Sequence, residues 1–165
     1  LRFSGDGLVM LVSSKYIIIP VSLSMALLLA SCSESKVSQC ERLIKEVKAG
    51  TALLENSKGA QVSTSLKLAK DLEEVTKTVR DLNLGDEKLK EYQSRIVKVF
   101  GTLSQNIDKA GKALGSAKTA QASTDGRERI KKARENIDSA LETAAGAAKE
   151  FDNSVSGLND YCSQP

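Results

Sequence analysis

Three cysteines, Cys32, Cys40 and Cys162, carry the reactive chemistry of this 165-residue chain. A thiol can be acylated, can ligate a metal or can pair as a disulfide. The chain has no histidine and no tryptophan. Without histidine it lacks the commonest general base and metal ligand. Ser-His-Asp and Cys-His arrangements are therefore impossible, as is the Glu-x-x-His di-iron pattern of helical bundles. The sequence also holds no phosphate-binding loop, no Gly-rich dinucleotide turn and no Cys-x-x-Cys pair. The expectation is a non-enzymatic protein with no catalytic residue, no metal site and no cofactor. The competing enzyme reading, chemistry by carboxylates alone, needs a cavity that tightly spaced apolar helix faces leave little room for.

Cys32 closes the tetrapeptide Leu29-Ala30-Ser31-Cys32 at the end of an apolar run that begins at Tyr16, with Lys15 just upstream. A charged start, an apolar stretch and small residues at a cut site make a signal peptide. The tetrapeptide resembles the lipobox of bacterial lipoproteins at all four positions. That resemblance implies cleavage between Ser31 and Cys32, a diacylglycerol on the Cys32 thiol and an acyl chain such as palmitate on the new N-terminus. It makes residues 1–31 a signal peptide and residues 32–165 the mature domain, with a start at Met10 giving the more compact signal. Two other readings compete. A transmembrane helix needs about 20 apolar residues, and this run is interrupted by Pro20, Ser22 and Ser24. A buried core helix needs an apolar shell, and the rest of the chain is too polar to supply one.

With Cys32 assigned to lipid, Cys40 and Cys162 remain, one near each end of the mature chain. An exported compartment is oxidising, so they read as a disulfide. The alternative is two unpaired thiols on helix surfaces.

These residues must be positioned by helices. Val37, Cys40, Ile44, Val47, Thr51 and Leu54 recur at spacings of three and four, one apolar helix face. In the same phase Lys58 and Gln61 would fall on the seam, with Gly59 between them, so the helix is expected to break between Asn56 and Gln61. Leu68, Leu72, Val75, Val79 and Leu82 form the second face, with Gly85 expected as its C-terminal cap. Asp86 is expected to cap the third helix, whose seam runs from Leu89 to Leu114 with a stop at Gly115. Asp125-Gly126-Arg127-Glu128 reads as a capping box opening the fourth, whose seam includes Ile130, Ile137, Ala144, Phe151 and Leu158. No run alternates with period two, so no strand is expected.

The expected fold is all-α, an antiparallel up-down four-helix bundle after the signal peptide, with the last two helices longer and projecting as a two-helix tip. The rival architecture is a coiled-coil hairpin that completes its core by oligomerising. The bundle places Cys40 and Cys162 at one end, on seams that face each other.

Charge is uneven on that plan. Residues 1–31 carry Arg2, Lys15 and Asp6, so removing them lowers the net charge from +3 to +2, too weak to argue for nucleic acid. The half of the bundle away from the cysteines, residues 47–72 and 101–142, holds twelve cations and eight acids. The densest stretch carries Arg127, Arg129, Lys131, Lys132 and Arg134. It reads either as a solvated helix face or as a contact for an acidic protein partner.

Cys40-Glu41-Arg42-Leu43-Ile44 and Tyr161-Cys162 resemble stretches of small cyanobacterial lipoproteins without an assigned activity. That resemblance carries no active site over to this chain. Lipidated four-helix subunits of photosystem II share the anchor and the architecture, but no motif. The expected function is a monomeric, membrane-anchored lipoprotein on the exported side, in the periplasm, at the outer membrane or in the thylakoid lumen. There it would dock a protein partner or stabilise an envelope or thylakoid complex. The alternative is a self-assembling coiled-coil spacer.

Overall fold

A computed structural model of the chain describes residues 34–57 and 61–164. The signal segment with its Ser31-Cys32 cut site lies outside the described residues, as do Lys58 and Gly59. The described residues form an all-helical bundle of four α-helices with no strand: α1 (Lys36–Asn56), α2 (Val62–Asp81), α3 (Glu87–Lys118) and α4 (Thr124–Ser163).

Each helix start is fixed by a local side chain except that of α2. Ser35 accepts from the Ser38 N–H to open α1, and the Asp86 carboxylate accepts from the Leu89 N–H to open α3. Such caps satisfy backbone donors that have no partner inside the helix. α4 opens earlier than the capping-box reading placed it. Ser123, not Asp125, is the cap, accepting from the Gly126 N–H. The turn is tight enough that a Cβ on Gly126 would lie 1.7 Å from the Gln121 carbonyl oxygen, so only glycine fits.

Two glycines do not end helices as expected. α2 stops at Asp81, with Leu82 at its cap in an extended conformation, rather than at Gly85. The end is set from outside, by side chains described below, and the short link buries Leu84 in the core. Nor does Gly115 stop α3, which continues to Lys118. Gly115 instead faces Val62 on α2, and Gly111 meets Leu66 and Ser65. α2 thus reaches nearly to the end of α3, and the projecting part of the bundle is built of three helices rather than two.

The core is concentrated in one half. Leu43, Leu72, Leu89, Ile96, Phe100 and Leu158 are its largest fully buried apolar side chains. Phe100 packs on Phe151 with ring centroids 5.2 Å apart. α1 comes so close to Phe100 that a Cβ on Gly50 would sit 2.4 Å from the ring. On α4 the buried row is Gly126, Ala133, Ala140, Ala147 and Ser154, one small residue every seven. Small side chains let helix axes approach to the short end of the usual 8–10 Å range. The seam positions Val37 (63%) and Ile130 (48%) are exposed, as is Leu141 (60%) beside the α4 seam. Val37 lies in the first turn of α1, and Ile130 and Leu141 lie towards the other end of the bundle.

Candidate functional site

Two clusters stand at opposite ends of α4. At the first, Cys40 and Cys162 are joined as a disulfide with a Cα separation of 5.8 Å, across 122 residues of sequence. Cys40 is buried on the α1 seam beside Leu43, the phase in which the sequence places it. Around the bridge the helix ends are tied by polar side chains. The Gln39 amide oxygen accepts from the Gly85 and Asp86 N–H groups at 2.6 and 3.0 Å, and its Nε2 donates to the Glu34 carbonyl at 2.9 Å. The Gln93 Nε2 donates to the carbonyls of Val79 and Leu82 at 2.7 and 2.8 Å and more weakly to Arg80. These glutamines give partners to backbone groups at the end of α2 and in the link, among them the Leu82 carbonyl and the Gly85 and Asp86 N–H groups.

Tyr161 completes the cluster. Its hydroxyl donates to the Asp86 carboxylate at 2.8 Å, its ring lies 6.2 Å from Tyr92, and the Lys36 ammonium stands 4.3 Å from its centroid. The Leu89 N–H holds the Asp86 carboxyl below its ordinary range; the Tyr161 hydroxyl and the Lys36 charge act in the same direction, against partial desolvation. The same contact raises the Tyr161 phenol, because ionising it would set two anions together. Glu34 is lowered as well, by its bond from the Ser38 hydroxyl and then by Arg42. The arrangement is a clamp.

At the second cluster Arg127, Arg129, Lys131, Lys132 and Arg134 are all exposed. Among the described residues only Arg134 of the five pairs with a carboxylate, Asp138 at 3.9 Å. The Arg127 guanidinium makes a long contact of 3.4 Å with the Thr124 hydroxyl. None of the five lines the open apolar groove of about 1030 Å³ that Ile130 shares with Val62, Leu66, Leu114 and Lys118. A second groove of about 230 Å³, with Leu68, Ile107, Ala110 and Leu141 in its walls, lies nearer the disulfide.

Among the described residues no group of three or more His, Cys, Asp or Glu could hold a metal, and no helix is long and apolar enough to cross a membrane. The sequence reading missed Gln39, Gln93 and Tyr161 as structural residues. The only signal for the two glutamines is their position on otherwise apolar helix faces, Gln39 beside Cys40 and Gln93 between Leu89 and Ile96. Compared with protein families, with curated proteins and with solved structures, the chain matches none.

Proposed function

We propose that the chain is a lipoprotein anchored through Cys32, with its helices in antiparallel up-down order, which docks a protein partner at the end away from the disulfide. The observation that carries this reading is the tetrapeptide Leu29-Ala30-Ser31-Cys32 at the end of an apolar run. The Cys40–Cys162 disulfide supports export independently, since such bonds persist in oxidising compartments. The up-down order is supported by the contacts at the two ends. Gln39, Gly85 and Tyr161 gather around Asp86, whereas Val62 meets Gly115 and shares a groove with Ile130.

Chain length supports the orientation that follows. Three residues separate Cys32 from Lys36, and an extended chain advances at most about 3.6 Å per residue. In the lipidated protein the disulfide end is therefore held near the membrane and the basic end is presented away from it. One lipid chain binds only marginally, but a diacylglycerol with a further acyl chain anchors stably. The test is mass spectrometry of the protein extracted from the membranes of its host. The expected N-terminus is Cys32 carrying both modifications, and Cys32→Ala is expected to keep residues 1–31 and lose the lipid. A native protein that retains residues 1–31 would overturn the reading.

A further inference from the structure

Each cysteine of the bridge has a neighbour in sequence that binds one and the same residue. Gln39, beside Cys40, accepts from the Asp86 N–H at 3.0 Å and from the Gly85 N–H at 2.6 Å. Tyr161, beside Cys162, donates its hydroxyl to Asp86 Oδ2 at 2.8 Å. The other carboxylate oxygen, Oδ1, accepts from the Leu89 N–H at 2.9 Å, so the carboxylate is held from two sides. α1 and α4 thus dock separately on one residue that follows the α2–α3 link. That link is fixed by groups outside both cysteine-bearing helices: Leu84 is buried in the core, and Gln93 of α3 donates to the Leu82 carbonyl at 2.8 Å.

The edge between α1 and α4 is packed unevenly. Just beyond the bridge the two helices part around a groove of about 410 Å³, with Ile44, Val47 and Thr51 on one wall and Val155 on the other. At the bridge itself polar ties gather. The Lys36 ammonium, in the first turn of α1, donates to the Gln164 carbonyl at 2.9 Å and stands over the Tyr161 ring. The approach of Cys40 to Cys162 is therefore set at this end by directed contacts, in which Asp86 receives both helices.

We infer that Asp86 selects the disulfide partner: by docking Gln39 and Tyr161 it holds the Cys40 and Cys162 thiols together in the reduced chain, before any bond joins them. Closure then takes two electrons and two protons from the pair, and a disulfide oxidant accepts them as it becomes two thiols. Selection matters because the chain carries a third thiol. Cys32 stands only eight positions before Cys40, whereas Cys40 and Cys162 are 122 apart. In a freely moving chain, loop-closure statistics favour the shorter loop by about sixtyfold. Asp86 acts here as a positioning residue, through the neighbours of the two cysteines. The inference is independent of the anchor, since a lipid on Cys32 would only remove the competing thiol.

The test uses the full chain with Cys32 unmodified, reduced in detergent micelles and then equilibrated with glutathione and glutathione disulfide. Free thiols are alkylated, and peptide mass spectrometry reads the ratio of the Cys40–Cys162 bridge to the Cys32–Cys40 bridge. The parent chain is expected to form mainly Cys40–Cys162. Tyr161→Phe keeps the ring and removes the hydroxyl; Gln39→Met keeps the length and removes the acceptor. Each is expected to lower the ratio about fivefold, the size of one net hydrogen bond. The double variant should lower it further, with helical circular dichroism of the reduced chain unchanged. Ile96→Val trims a fully buried site at a comparable cost to folding and should leave the ratio as it is. A parent chain that forms mainly Cys32–Cys40 would overturn the inference. So would an unchanged ratio in Tyr161→Phe, or an equal fall in Ile96→Val, which would mean that the fold as a whole places the thiols. If the double variant loses its helical signal, the single variants and Ile96→Val decide.

Discussion

The two ends of this bundle are built from the same kind of helix and end in opposite conditions. At the disulfide end every helix terminus is tied: Cys40 to Cys162, Gln39 to the α2–α3 link, Gln93 to the end of α2, and Tyr161 to Asp86. The large apolar side chains lie in that half, and α4 contributes Leu158 and Ala147 to the continuous core. At the other end the buried residues of α3 and α4 are Gly111, Ala113, Gly126, Ala133 and Ala140, and the larger apolar side chains Ile130 and Leu141 are exposed. A thin, small-residue contact can hold two helices side by side without consuming the larger apolar side chains around it. One end therefore buries its large apolar side chains, and the other leaves Ile130 and Leu141 exposed.

The contrast is tested most strongly by removing the bridge. Closing a loop of about a hundred residues is worth at most ~4.7 kcal/mol on the chain-entropy account. Cys40→Ala with Cys162→Ala is expected to lower stability by roughly 3–5 kcal/mol in urea denaturation. Hydrogen exchange should rise first at Lys36–Asn56 and at the end of α4. A loss below ~1 kcal/mol would mean that the glutamine and tyrosine ties suffice without the bridge.

A paired truncation sharpens the comparison along one row of α4. Leu158→Ala is expected to cost about 2–5 kcal/mol, because it empties a fully buried site. Ile130→Ala is expected to change stability by no more than ~0.5 kcal/mol, as exposed substitutions do. Similar losses at both sites would show that the far end is packed as tightly as the base.

The same comparison explains what could be read from the chain. Helix number and the first helix break follow from apolar spacing, since period 3.6 is written in the residues themselves. Pairing of Cys40 with Cys162 follows from seam phase plus topology. The exposure of Ile130 could not be read, because its spacing is the same as that of Leu158. Only the lengths of neighbouring helices decide which of the two is covered. Helix ends failed for a related reason. Gly85 and Gly115 look like local stops, but the end of α2 is set by Gln93, eleven residues beyond Leu82, and Gly115 serves close approach to Val62. For the basic residues the sequence gives charge, and exposure comes from the fold.

Gln93 supplies the next prediction. Its amide donates to carbonyls at the end of α2, two of them within 2.8 Å. Gln93→Met keeps the length of the side chain and removes the donor, so the Leu82 carbonyl loses this bond and the Val79 carbonyl keeps only the longer one from the Leu82 N–H at 3.3 Å. The expected loss is about 1–3 kcal/mol, with early exchange at the α2–α3 link. An unchanged denaturation midpoint would mean that water replaces the amide and that this end tolerates opening.

The smallest effect expected is the pH response of Asp86. Its folded-state carboxyl is held below the ordinary value of 3.8 by the Leu89 N–H, the Tyr161 hydroxyl and the nearby Lys36 charge. A carboxyl lowered on folding contributes stability that is fully present above its unfolded pKa and is lost as pH falls through its folded pKa. The contribution should therefore hold at neutral pH and fade below about pH 4. Asp86→Asn preserves a side-chain oxygen able to cap α3 but removes the titration. At neutral pH the variant should lose only the charge-dependent part. On acidification its denaturation midpoint should fall less steeply than that of the parent protein, and the two curves should converge. Glu34 and Glu91, also held low by hydrogen bonds near this end, leave the variant some slope of its own. Parallel curves down to pH 2.5 would show that the Asp86–Tyr161 contact positions the end of α4 without linking folding to protonation.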